Sequence, residues 1–147
     1  MSNRWIVGLV SLAAACGGGQ VAQGVAPSPG PEFALHEFMA AVADSNLPKM
    51  AEFWGTPNGS AAETGSPPDY PKRIEVMQIF LRGFSYRVLA STPNPGRTEQ
   101  AMAVSLDRGD CHKQVPFLVV KTQDNRWVIQ SLDLNAVGTP NQPCIPG

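Results

Sequence analysis

Apolar residues recur every three to four positions in the first half of the chain's central region. Pro31 and Glu32 suit the first turn of a helix, because proline needs no hydrogen-bond partner there and an acidic side chain favours the positive end of the helix dipole. The pattern therefore predicts a first helix that begins at Pro31. Its apolar face consists of Leu35, Phe38, Met39 and Val42.

Two further helices are predicted before this spacing ends. Asn46 can cap a short helix from Leu47 to Trp54, which Gly55 stops. A third helix is predicted from Pro71 to Gly83. Residues 55–69 between them are polar and rich in proline and glycine, so they are predicted to form a loop. The apolar face of the third helix consists of Ile74, Met77, Leu81 and Phe84.

After Gly83 the apolar period shortens from 3.6 residues to 2, which is typical of strands. A wide turn at Pro93–Gly96 and short turns at 107–110 and 123–125 separate the alternating segments. Short connections between consecutive strands make an antiparallel meander. The predicted fold class is α+β, with three N-terminal helices packed on a four-stranded meander. The predicted strands are Tyr86–Ala90, Glu99–Asp107, Val115–Thr122 and Arg126–Leu132.

The N-terminal segment has the pattern of a signal peptide. Arg4 precedes an apolar run of eleven residues, Trp5–Ala15, which is shorter than the roughly 20 residues that span a bilayer. The run ends in three alanines, which directly precede Cys16. This segment resembles the lipobox of bacterial lipoproteins, whose cysteine thiol receives diacylglycerol. It departs from the usual pattern in one place, because Ala13 stands where leucine is common and Leu12 lies one step earlier.

The lipobox resemblance implies a signal peptide over residues 1–15, a lipidated Cys16 and a flexible tether over 16–30. The protein would then be anchored to a membrane of the bacterial cell envelope and face the periplasm or the surface. Two alternatives remain open. The three alanines also suit ordinary secretory cleavage, and the apolar run could be a buried helix, although the glycines after Cys16 disfavour a continuing helix.

The predicted order of elements, helices followed by a meander that ends in the segment RWVIQSLDL, resembles the layout of the NTF2-like superfamily. The cues are Phe33–Leu35 with Phe38, Asn46–Leu47, and Val128–Leu132. The resemblance implies that residues 31–136 form a curved sheet wrapped around the helices, a cone with an internal pocket. A proline-rich tail would follow over 137–147. Many members place a short hairpin between the second and third helices, where this chain has the polar 55–69 loop.

Large apolar and aromatic side chains are candidates for lining such a pocket, although aromatic residues at alternating strand positions are more often ordinary core residues, and His36 could approach the mouth of the cone. No catalytic residue is predicted, because the carboxylates Glu63, Asp69 and Glu75 lie at positions expected to be solvated. The pocket candidates are Trp54, Tyr86, Met102, Phe117, Trp127 and His36.

Charge and cysteine usage narrow the function classes. Without its leader the chain has ten basic and twelve acidic side chains and no basic run longer than Lys72–Arg73, so nucleic acid is not an expected partner.

In an oxidising compartment Cys111 and Cys144 are predicted to form a disulfide. The alternative is that these two residues are not joined to each other. His112 beside Cys111 does not complete a zinc site, since the only other histidine is His36; no metal or cofactor is predicted.

Three hypotheses for the function follow. The first is an envelope lipoprotein whose domain binds a small apolar ligand or an envelope protein without catalysis. The second is an isomerase or cyclase-type enzyme, which requires Tyr86, His36 or a carboxylate to point into a closed cavity. The third is a structural accessory subunit that docks, or forms a homodimer, through an apolar sheet face over a filled cone.

Overall fold

The computed structural model describes residues 30–91 and 98–140. The first half is helical, as predicted. Helix α1 spans Pro31–Ala43 and α2 spans Leu47–Glu52. Asn46 caps α2, because its side-chain oxygen accepts a hydrogen bond of 3.1 Å from the backbone N–H of Lys49. The second helix is two residues shorter than predicted, which frees Trp54 for a different role.

The prediction of a loop over residues 55–69 is wrong for its first ten residues. Strands β1, Gly55–Thr56, and β2, Gly59–Ser60, form an antiparallel hairpin, and a one-turn helix α3 follows at Ala61–Thr64. The Ser60 hydroxyl caps α3 by accepting a hydrogen bond of 3.3 Å from the N–H of Glu63. A short hairpin is therefore present between α2 and the next long helix, where the sequence predicts only a loop.

Gly55 allows the two strands of this hairpin to approach closely. A Cβ atom at Gly55 would lie 2.3 Å from the carbonyl oxygen of Gly59 and 2.7 Å from the Cα of Ser60. Both neighbours are backbone atoms, so neither can move without displacing the turn. A side chain at residue 55 would therefore force the two short strands apart.

Gly55→Ala is expected to destabilise the protein by about 1 to 3 kcal/mol, as overpacking does at other buried sites. Urea denaturation monitored by tryptophan fluorescence would measure the loss. Gly109→Ala is the control, since a Cβ at Gly109 meets nothing within 4 Å and only its positive φ of +58° is unfavourable. If Gly55→Ala is no more destabilised than Gly109→Ala, the close approach is not what holds the hairpin.

Helix α4, Tyr70–Leu81, leads into the main sheet, which is an antiparallel meander in the order β3-β4-β5-β6. This confirms the α+β class and the antiparallel sheet, but the prediction of three N-terminal helices is wrong, because the one-turn helix α3 makes four helices before this sheet in residues 30–91. The tight turn at 109–110 joins β4 to β5, with Arg108 opposite Cys111. The predicted wide turn at 93–96 lies outside the described residues. The four strands are Ser85–Ser91, Glu99–Arg108, Cys111–Lys121 and Trp127–Leu132.

Side chains from the helices and from one face of the sheet fill the space between them. Phe38 on α1 and Phe117 on β5 are both almost completely buried. A short helix α5, Leu134–Val137, follows the sheet, and Asp133 caps it. Val137 is buried in the same core, so the tail predicted from residue 137 begins later than expected. The other largest fully buried side chains are Leu35, Met50, Ile74, Leu81, Met102, Leu106 and Ile129.

The hairpin and α3 are fastened to the turn between β5 and β6. Arg126 pairs with Glu63 on α3 and, at 2.7 Å, with Asp124 in the turn. The backbone N–H of Gln123 donates a hydrogen bond of 3.0 Å to the carbonyl of Pro57. These contacts hold the hairpin region against the edge of the sheet formed by β6.

None of the helices within residues 30–91 and 98–140 is both long enough and apolar enough to cross a membrane.

Candidate functional site

An open groove of about 450 Å³ lies between α4 and the end of β6. Its volume falls within the range of about 300 to 1,000 Å³ that is typical of small-molecule sites. The groove is mainly apolar, and its polar side chains stand on α4 and β6. The apolar lining consists of Trp54, Val76, Met77, Leu132 and Leu134.

Trp54 reaches this groove because the chain leaves α2 and runs beside β6. Trp54 forms a parallel bridge with Ile129, and the N–H of Ile129 donates a hydrogen bond of 2.7 Å to the carbonyl of Phe53. The carbonyl of Trp54 in turn accepts a bond of 2.7 Å from Ala61. The backbone of Trp54 is therefore held between the sheet edge and the hairpin, and the residue is 8% exposed.

A bulge in β6 brings two adjacent side chains to the groove. Leu118 pairs with Ser131 and Val119 pairs with Ile129, so Gln130 is the extra residue. In a regular strand Gln130 and Ser131 would point to opposite faces of the sheet. The bulge changes the direction of one of them, so that both line the groove.

Charged side chains of α4 complete the lining. Asp69 and Arg73 form an exposed ion pair, with 2.9 Å between Asp69 Oδ2 and Arg73 Nε. Lys72 lies beside them, and no described carboxylate is within 4.0 Å of its ammonium group. The groove thus has an apolar floor, and its charged side chains carry one more positive than negative charge.

The other predicted pocket residues lie elsewhere. Met102 and Phe117 fill the core, and Trp127 is half-buried against it. Among the six candidates, Trp54 alone lines the groove between α4 and β6. The predicted pocket residues do not include Val76, Lys72, Gln130 or Ser131. No periodic pattern in the sequence marks Gln130 or Ser131 as lining residues.

His36 and Tyr86 meet at the protein surface. The distance from His36 Nδ1 to the Tyr86 hydroxyl oxygen is 2.8 Å, and this hydrogen bond joins α1 to β3. Partial burial, and then the negative charge of Glu37, raise the pKa of Tyr86. The phenol therefore stays protonated through the neutral range. His36 is exposed, so the pair does not point into a closed cavity as the enzyme hypothesis requires.

The candidate carboxylates have structural partners or face solvent. Glu63 pairs with Arg126, Asp69 pairs with Arg73, and Glu75 is exposed. In the described ranges, no group of three or more histidine, cysteine, aspartate or glutamate side chains could hold a metal ion.

Polar side chains occupy one end of the outer sheet face. Asp107 on β4 lies opposite His112 on β5, with 2.6 Å between Asp107 Oδ1 and His112 Nδ1. Ser105 donates a second hydrogen bond to Asp107, and Arg87 lies 3.5 Å away. The hydrogen bond from His112 is the largest of the causes that lower the pKa of Asp107.

The lowered pKa gives a pH-dependent prediction. Because the carboxyl is more acidic when folded, its contribution to stability is present above the ordinary pKa of aspartate and is lost as pH falls through the folded pKa. His112→Ala should raise the pKa of Asp107 toward its ordinary value, as measured by NMR titration of the carboxyl carbon. His36→Ala is the control and should leave that titration unchanged. An unaltered Asp107 titration in His112→Ala would contradict the pairing.

The other end of the outer face is apolar. Ala101 on β4 lies opposite Leu118 on β5, and Ala103 lies opposite Pro116. Ala101 and Pro116 are exposed, whereas Leu118 and Ala103 are half-buried. Leu89 stands at the bulge of the edge strand β3 with 51% of its surface exposed.

No protein-family model matches the chain, and no curated protein is significantly similar to it in sequence. The structure is similar to the crystal structure of an NTF2-like protein of unknown function from Cytophaga hutchinsonii. The two sequences are 12% identical, and the similarity covers 72% of this chain and 92% of the other, with a TM-score of 0.41. A TM-score below 0.5 does not assign a fold family, so the NTF2-like cone stays a prediction.

Proposed function

We propose that residues 31–137 form a non-catalytic binding domain that takes a small apolar ligand in the groove between α4 and β6. The observation that carries this proposal is an open space of about 450 Å³ beside Trp54 that combines an apolar lining with a few polar side chains. Met77 and Leu132 extend the apolar floor. An apolar ligand would gain free energy by covering this surface, at about 25 cal/mol for each Å² removed from water.

Fluorescence of the neutral dye N-phenyl-1-naphthylamine would test this proposal. The dye should brighten on binding, and Val76→Trp should abolish the enhancement because the larger side chain occupies part of the space that the dye needs. Val76 is half-buried, so the fold should tolerate the change. Ile79→Trp on the same helix is the matched control, since Ile79 is also half-buried but does not line the groove. Equal binding by both variants would place the dye elsewhere.

A second candidate function is association of two copies through the outer sheet face. Two observations favour it: the filled core, and the apolar end of that face around Ala101, Pro116 and Leu118. Monomeric proteins seldom expose large continuous apolar patches. A twofold axis through this patch would bring the same residues of both copies together, which is the usual geometry of homodimers.

Analytical ultracentrifugation would test the association. A dimer is expected at micromolar concentration, and Leu118→Glu should shift it to monomer because a charge would then be buried at the interface. Gln114→Glu is the control, because Gln114 is an exposed residue of the same strand that pairs with Ser105 at the polar end. A wild-type monomer at all concentrations would contradict this candidate.

Cys16 lies outside the described residues, so its lipidation stays a prediction. We propose that two or three acyl chains on Cys16 would anchor the domain stably to an envelope membrane, since one chain gives only marginal binding. The intact mass of protein extracted from membranes would test this. A soluble product with an unmodified Cys16 would contradict the anchor.

A further inference from the structure

The polar side chains that line the groove between α4 and β6 supply more donors than the protein itself uses. Gln130 and Ser131, which the bulge of β6 brings together, make no side-chain hydrogen bond to another described residue. Lys72 has no described carboxylate within 4.0 Å. An ammonium, an amide and a hydroxyl are thus available to a ligand that lies in the groove.

The one carboxylate that lines the groove does not offset Lys72. Asp69 is held by Arg73 at 2.9 Å on the same helix, which leaves the positive charge of Lys72 uncompensated. Beside these groups lies the apolar floor formed by Trp54 and Met77. The site therefore combines apolar surface with a local excess of positive charge and hydrogen-bond donors.

We infer that the ligand of this groove is a single-chain amphiphile with an anionic headgroup. This inference rests on the proposed function and specifies its ligand class. The apolar chain would cover Trp54 and Met77, and the headgroup would accept hydrogen bonds from Lys72 and from Gln130 or Ser131. A cationic headgroup would meet like charge, and a neutral alcohol would leave the charge of Lys72 uncompensated.

Displacement of N-phenyl-1-naphthylamine from the full-length protein would test the headgroup. The competitors share a ten-carbon chain and differ in the head: decanoate, decyl phosphate, 1-decanol and decylammonium. Decanoate or decyl phosphate should bind at least tenfold more tightly than decylammonium, with 1-decanol between them. The order of the two anions distinguishes a carboxylate ligand, such as a fatty acid, from a phosphate ligand, such as a lipid headgroup.

Lys72→Gln should weaken anion binding about fivefold to tenfold and leave 1-decanol unchanged. Lys113→Gln is the matched control, because it removes the same charge from β5, outside the groove. If all four heads bind equally and Val76→Trp still abolishes binding, the headgroup inference is wrong and the proposed function stands. An anion preference that survives Lys72→Gln also overturns it. If no probe binds, the proposed function fails as well.

Discussion

Phe117→Ala is expected to lower the free energy of unfolding by about 3 to 5 kcal/mol, the usual effect of removing a buried aromatic ring. Phe117 is 1% exposed, lies opposite Met102 in the sheet, and belongs to the same buried cluster as Phe38. Its removal would leave a cavity that the neighbouring strands can close only in part. Urea denaturation followed by circular dichroism would measure the change.

Leu118→Ala is the matched control, because Leu118 is the next residue of the same strand but half-buried on the outer face. It should cost less than about 1.5 kcal/mol. If Phe117→Ala does not fold, Phe117→Leu keeps the test open, with a smaller loss expected. A loss below 1 kcal/mol for Phe117→Ala would mean that the space between the helices and the sheet is not filled at this position, and an internal pocket would again be the better hypothesis.

Cys144→Ser is expected to destabilise the oxidised protein by about 3 to 4 kcal/mol. Chain entropy gives this value for a bridge that closes a loop of about 33 residues, although native-state strain can reduce it. Cys144 lies outside the described residues, and the described chain near its end passes close to β5. A Cβ at Gly138 would lie 4.0 Å from the Lys113 side chain, two residues from Cys111. Cys144 lies six residues beyond Gly138, which is within reach of Cys111.

Cys144→Ser is preferred to Cys111→Ser because Cys111 is 4% exposed, and a buried hydroxyl would add its own cost. The melting temperature of the wild type should fall on reduction to that of Cys144→Ser, whereas the variant should not respond to reductant. Cys16→Ser is the control for thiol chemistry at the N-terminus and should leave the response of the wild type intact. A wild type insensitive to reductant would contradict the bridge.

The sequence predicted the elements that carry a clear period. Helix α1 begins at Pro31 as expected, and the alternation of apolar residues located all four strands of the meander to within a few residues. The hairpin at 55–60 escaped prediction because two-residue strands are too short to show a period. It is held by distant contacts, such as the bridge between Trp54 and Ile129, which local sequence does not reveal.

The candidate site was only partly predictable for a related reason. Trp54 is predicted as a lining residue of an internal pocket, and the structure places it in the groove between α4 and β6. Alternation selected Met102 and Phe117 as well, but alternation marks the inner face of a sheet and does not distinguish a filled interior from a cavity. Gln130 joins Ser131 because of the bulge in β6, and neither residue has a side chain that signals a bulge.

The fastening of the hairpin region to β6 determines how copies of this protein could join edge to edge. The carbonyl of Phe53 occupies the N–H of Ile129, and Arg126 and Gln123 hold the neighbouring segments in place. Within the described residues, one border of the main sheet is thus covered at Ile129, and β3, at the other border, pairs only with β4. A sheet with a single open border can pair with the border strand of one other copy. It then has no second border at which a further copy could pair. Edge pairing would end at two copies and could not propagate into a fibre.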